Sequence, residues 1–170
     1  MATSEFATMV RSAQSDLRAL QHMPDAFAFD ERVFGFHAQQ ACEKALKAWL
    51  LTFGQNPPFS HDLRELIQLL GDEGVMVPEA EALVALTKYA VQWRYGDIPP
   101  DRLIDRARTV SLCERLLNRA IDAATASESE AIDQTAMTLD DSGLARSKQA
   151  YEEAMAKFVV ADPKRKPEKA

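Results

Sequence analysis

The stretch RVFGFHAQQACEKALKAWL, residues 32–50, decides the fold class. On a helical wheel at about 100° per residue with His37 at zero, Ala38, Ala41, Cys42, Ala45, Leu46, Trp49 and the later Phe53 fall within about 40–180°. Gln39, Gln40, Glu43, Lys44 and Lys47 fall within about 200–340°, and His37 stands at the border of the two faces. A strand would not sort these residues in this way. The alanines let a neighbouring helix come close, while Trp49 and Phe53 are expected to fill the wider gap further along. Glu43 and Lys47, four apart in the favourable order, add about 0.3 kcal/mol.

Working outward, this helix runs from near Asp30 to Phe53 and is closed by Gly54. Before it, a first helix is expected over Ser4–Gln21, with Met9, Ala13, Leu17 and Leu20 on one side. HMPDAFAFDE, punctuated by Pro24, separates the two. After the loop GQNPPFS, a third helix opens at SHDLRELIQLL, where Asp62 and Glu65 have capping-box spacing. GDEGVMVP closes it. A fourth helix is expected over Glu79–Arg94. RYGDIPPD then turns the chain, with Asp101 as the N-cap of a fifth helix over Arg102–Thr125. In that helix Leu103, Val110, Leu117 and Ala124 recur every seven residues, a bundle seam. The expected fold is therefore all-α, an up-and-down bundle of four to five helices over residues 1–125. Beyond it, TASESEAIDQTAMTLDDSG reads as a linker, assigned to 126–142. An appended amphipathic helix is expected over 143–160, with Leu144, Tyr151, Met155 and Phe158 on one stripe. A basic tail, 161–170, is expected to be disordered.

Composition narrows the function classes. The 170 residues are 46% hydrophobic and 27% charged, with a formal net charge of −6. No global field would attract nucleic acid, so any RNA contact would need a local basic patch. The two cysteines, Cys42 and Cys113, lack CxxC spacing and sit in apolar helical patterns. They read as buried free thiols of a cytoplasmic protein. No metal or other cofactor is expected, because His22, His37 and His61 are far apart and form neither HxxxH nor HExxH. No glycine cluster forms a phosphate-cradling loop. The opening MATSEFATMVRSAQ has neither a basic head nor a long apolar core, so no secretory signal is expected, and no run is long enough to span a membrane.

Three segments in order, FHAQQACEKALKAWLLTFG at 36–54, HDLRELIQLL at 61–70 and LTKYAVQWRYGD at 86–97, resemble the HEPN family. These are small helical domains named for nucleotide binding in higher eukaryotes and prokaryotes. The resemblance covers about residues 3–125. It implies a helical bundle, a symmetric homodimer, and frequent association with a minimal nucleotidyltransferase protein partner in toxin–antitoxin-like or defence systems. It also implies, for the ribonuclease branch, an Arg-x4–6-His motif near the start of the last core helix. There the Arg and His meet their dimer-mates and cleave RNA without metal.

Here that region reads RYGDIPPDRL, with Arg94 present but no His or Tyr at the required spacing. The literal match is Arg32 to His37, on the second helix, which makes these two the candidate catalytic pair. On an unbroken helix residues five apart point about 140° away from each other, so both could grip one phosphate only if Gly35 loosened the turn or a second chain contributed. The expected binding residues for a nucleotide, RNA or partner are His37, Gln40, Lys44, His61, Arg94 and Tyr95. In that reading His61 joins His37, Gln40 and Lys44 in a polar pocket, while Arg94 and Tyr95 hold a base and its phosphate. The structural alternative places His61 in local hydrogen bonds and pairs Arg94 with an acid. A nucleotide- or RNA-binding module is the leading functional expectation, with a metal-independent ribonuclease using Arg32 and His37 as the alternative.

Overall fold

The computed structural model describes residues 4–92, 104–136 and 149. Its helices are α1 (Ser4–Gln21), α2 (Glu31–Thr52), α3 (Leu63–Asp72), α4 (Ala80–Val84), α5 (Lys88–Gln92) and α6 (Arg106–Ala136). No strand occurs among the described residues. The chain falls into two compact units, Met1–Ala126 and Ser127–Ala170. No helix among the described residues is long and apolar enough to cross a membrane.

Helix α2 is the axis of the first unit, and Phe34, Ala38, Cys42, Ala45, Leu46, Ala48 and Leu50 are fully buried in it. The Asp30 carboxylate caps it by accepting from the Arg32 amide at 2.7 Å, worth about 1 kcal/mol. At the other end Gly54 adopts φ 72°. The Gln55 amide reaches the Leu50 carbonyl and the Gly54 amide reaches that of Leu51. This Schellman closure needs a left-handed residue, which glycine supplies without steric penalty. Helix α3 ends in the same way at Gly74, φ 79°, with Val75 bonded to Leu70 and Gly74 to Gly71. Phe53, expected in the core, is 41% exposed because it lies at the C-cap, beyond the last packed turn.

Helix α1 packs along α2, where Asp16 meets both His37 and Lys44. Its buried row is Phe6, Val10, Ala13 and Leu20, with Met9 and Leu17 flanking it. The loop 53–62 then folds back along α2, placing His61 beside Glu43, while Gln55 at the loop's start reaches Glu73 past the end of α3. Helix α3 therefore runs in the same direction as α2. Its N-terminus departs from the expected capping box. Asp62 accepts from the Arg64 amide, and the Asp62 amide is met by Ser60 Oγ.

The expected fourth helix is broken at 85–87 into α4 and α5. Between them the backbone bonds shorten to three-residue steps, Leu86 to Leu83 and Thr87 to Val84, and the Thr87 hydroxyl turns to accept from the Leu63 amide at 3.2 Å. Tyr89 follows, its ring lying on Gly35. Gly35 thus sits inside an unbroken helix beneath an aromatic ring and does not loosen the turn.

Helix α6 starts at Arg106, with Asp105 accepting from the Arg108 amide at 3.0 Å. The expected cap Asp101 lies outside the described residues, as does Leu103. The buried stripe is Leu112, Cys113, Leu116, Leu117 and Ala120, and Val110 and Ala124 sit at its margin. Helix α6 continues to Ala136, so residues 126–136 are helical where a linker is expected. Their polarity opposes burial but not helix formation, and ASESEAIDQTA holds no glycine or proline. The remainder of the expected linker, the appended helix and the basic tail lie outside the described residues, apart from Gln149.

Candidate functional site: a polar band along α2

The polar face of α2 is not a simple solvated surface. The returning loop and α1 enclose its edges, leaving Gln39 0% and Glu43 5% exposed. Buried polar groups must find partners, and here they form two clusters.

The first joins α1 to α2. Asp16 occupies a position in the buried row of α1 and presents both carboxylate oxygens to α2. Its Oδ1 lies 2.9 Å from His37 Nδ1, and its Oδ2 accepts from Lys44 Nζ at 2.6 Å. His37 and Lys44 are seven residues apart and share one side of the helix. An ionised carboxylate only accepts, so the contact places a proton on Nδ1 and leaves Nε2 of the neutral ring as an acceptor. The Phe36 ring meets the imidazole edge-on at 5.6 Å between centroids. Lys44 keeps further donors on a side chain 24% exposed.

The second cluster surrounds Glu43. Its carboxylate accepts from Gln39 Nε2 at 2.8 Å and from Lys47 Nζ at 2.8 Å, and lies 3.0 Å from His61 Nδ1. Burial by itself would raise the Glu43 pKa. The hydrogen bonds from Lys47, Gln39 and His61 together outweigh it and hold the carboxyl below its ordinary value, as donors to the charged form do. Gln39 also donates to the His61 carbonyl at 3.2 Å, fixing the loop on α2. Gln40 donates to Gln39 Oε1 at 2.7 Å and so lies between the clusters.

The expected residues are thereby divided. His37 and Lys44 are brought together through Asp16. His61 joins Glu43 and Gln39, and Gln40 reaches that group through Gln39. Arg32 engages the carboxylate of its own helix cap, Nε to Asp30 Oδ1 at 3.0 Å and a second nitrogen to Oδ2 at 2.9 Å. The Arg32 hydrogen bonds hold Asp30 down at a pKa of about 2. Because α2 is continuous, Arg32 and His37 leave it about 140° apart. Arg94 and Tyr95 lie outside the described residues.

Asp16, Gln39, Glu43 and Arg106 escaped the reading by residue type. For Asp16 a signal existed, since it falls three residues after Ala13 and four before Leu20, a charge at core spacing. Arg106 is 7% exposed and ties the loop 22–30 to α2 and α6. Its guanidinium donates to the carbonyls of Met23, Asp25 and Phe29 and to Glu31, and lies 4.7 Å from the Phe34 ring centroid. No group of three or more His, Cys, Asp or Glu side chains is arranged to hold a metal among the described residues.

No curated protein and no solved structure matches the chain. The HEPN domain family model, in contrast, matches residues 7–129, which takes in the described helices from α1 through most of α6. With the helical architecture and the continuous α2, that match establishes that the chain belongs to the HEPN domain family.

Proposed function

We propose that the chain is a nucleotide- or RNA-binding HEPN module whose contact surface is the polar band of α2. In this reading it forms a homodimer and associates with a minimal nucleotidyltransferase in a toxin–antitoxin-like or defence system. The observation that carries the proposal is the Asp16–His37–Lys44 cluster. A carboxylate that is 9% exposed fixes a histidine and a lysine side by side at the band's rim. It leaves the remaining ammonium hydrogens of Lys44 for an anionic oxygen and the Nε2 lone pair of His37 to accept from a hydroxyl or amino group of a nucleotide. His61, 66% exposed in its side chain, extends the band on the α3 side. The test is fluorescence anisotropy with labelled single-stranded RNA and competition by adenosine nucleotides. His37→Ala and Lys44→Ala are expected to weaken binding about 10-fold each, the scale of one charge-assisted contact. Equal binding by the wild type and both variants overturns the assignment.

The same cluster favours one alternative, a metal-independent ribonuclease. An imidazole oriented by a carboxylate is the arrangement of a general base, and the phosphate-holding Arg32 would then come from the second subunit. Metal-free RNA cleavage lost about 100-fold or more in both His37→Ala and Arg32→Ala decides for that reading. We expect no such cleavage by the isolated protein. Light scattering at micromolar concentration is expected to give twice the chain mass, and a monomer across that range removes the shared cleft.

A further inference from the structure

The two cysteines face each other across the α2–α6 contact. Cys42 and Cys113 are 71 residues apart in sequence, yet their sulfurs lie 3.4 Å apart in the core. Cys113 Sγ also lies 3.8 Å from the Ala38 carbonyl, where the small Ala38 side chain is compatible with a close approach. We propose that Cys42 and Cys113 form a reversible oxidative cross-link that locks α2 to α6. The inference stands independently of the nucleotide reading.

The distance is the main argument. A disulfide needs the sulfurs about 1.3 Å closer, shared between two side chains by small rotations and a slight helix shift. The ground form is the dithiol. The hydrogen bond with Cys113, and then burial, hold the Cys42 thiol well above its ordinary range, so Cys42 is not a ready nucleophile at rest, and both side chains are buried away from solvent oxidants. Oxidation therefore follows local opening, and the cross-link suits sustained rather than brief exposure to a peroxide. One thiol gives up its proton and the thiolate attacks hydrogen peroxide; the O–O bond breaks, a sulfenic acid forms, and the departing hydroxide takes that proton and leaves as water. The second thiol attacks that sulfur, the S–O bond breaks, the S–S bond forms and a second water leaves. Two thiols lose two electrons and two protons, and the peroxide becomes two waters. A thiol such as glutathione reverses the bond by exchange.

Cys42 shares a helical turn with Glu43 and Lys44, so closure fixes the polar band's position against α6. The cross-link also spans a long stretch of chain, which restrains the unfolded state.

The test uses the full chain in two arms. In one, the folded protein is incubated with stoichiometric hydrogen peroxide. In the other, it is unfolded and refolded in a glutathione redox buffer, where access is not limiting. Each product is denatured without reductant, weighed by mass spectrometry and titrated with a maleimide. Expected are loss of two hydrogen masses, no reactive thiol, and a melting temperature raised by about 5–15 °C that dithiothreitol reverses. Cys42→Ala and Cys113→Ala are expected to abolish the change. Two free thiols in both arms, cross-links only between chains, or a cross-linked product without cooperative melting would each overturn the proposal.

Discussion

Replacing Gly35 by alanine discriminates between two roles for the residue beside His37. An ideal Cβ at position 35 would lie 2.4 Å from Tyr89 Cδ1, 2.5 Å from Cγ and 2.6 Å from Cε1. Ordinary carbon contacts are about 3.5–4.0 Å, so the ring has to retreat by about 1 Å. Tyr89 is 2% exposed and belongs to the short helix α5, so there is little space to retreat into. Overpacking of this kind costs about 1–3 kcal/mol, while alanine in a helix interior gains about 1 kcal/mol over glycine. The net is a loss of up to about 2 kcal/mol, a fall in melting temperature of up to about 8 °C by far-UV circular dichroism. In a Tyr89→Ala background the clash is absent, and Gly35→Ala should instead stabilise by about 1 kcal/mol. The two mutations are therefore coupled by about 1–3 kcal/mol, the overpacking cost itself, in a double-mutant cycle. If Gly35→Ala raises the melting temperature in the native background, the ring is not on Gly35 and glycine serves as a hinge.

Glu43→Ala should cost about 3–5 kcal/mol in urea denaturation, because it strands the Lys47 charge and the Gln39 amide in a buried site; a loss within 0.5 kcal/mol, roughly that of a surface change, would contradict the cluster. Stability should also depend on pH through Glu43. Its folded pKa lies below the ordinary 4.5, so its contribution is full above that value and is lost as pH falls through the folded pKa. Glu43→Gln should flatten this acid limb. Arg106→Met should release the loop 22–30, read as faster proteolysis there with α1 and α2 still helical, since three carbonyls lose their shared donor. Arg106→Lys should not restore protection, because an ammonium cannot span the planar fork's contacts.

Much of the helical frame was legible because local signals and packing agree. The α1 bounds, the start of α2 near Asp30 and the Gly54 stop follow from residues whose conformational preferences act within one turn. The break at 85–87 could not be read this way, since ALTKYAV is an acceptable helix. Tertiary partners decide it, namely the Thr87 hydroxyl on the Leu63 amide and the Tyr89 ring on Gly35. The extension of α6 to Ala136 is not legible for the opposite reason. Polarity suggests a linker, although it only reports that a segment need not be buried.

The site shows the same limit more sharply. A helical wheel places His37 and Lys44 about 20° apart, so their proximity was available from sequence. That Asp16 holds both was not, because it depends on the register of α1 against α2. The wheel likewise assigns Gln39 and Glu43 to the polar face but cannot say that the loop 53–62 returns over it. Burial changes what those residues do. On a solvated face the Glu43–Lys47 pair adds a few tenths of a kcal/mol; enclosed, with Gln39 and His61 donating as well, it becomes a constraint on where the loop and α3 can sit. The Glu43 cluster is thus foremost the structural floor of the band. The Asp16 cluster, nearer the rim and retaining unused hydrogen-bonding capacity on His37 and Lys44, is where a ligand would be met.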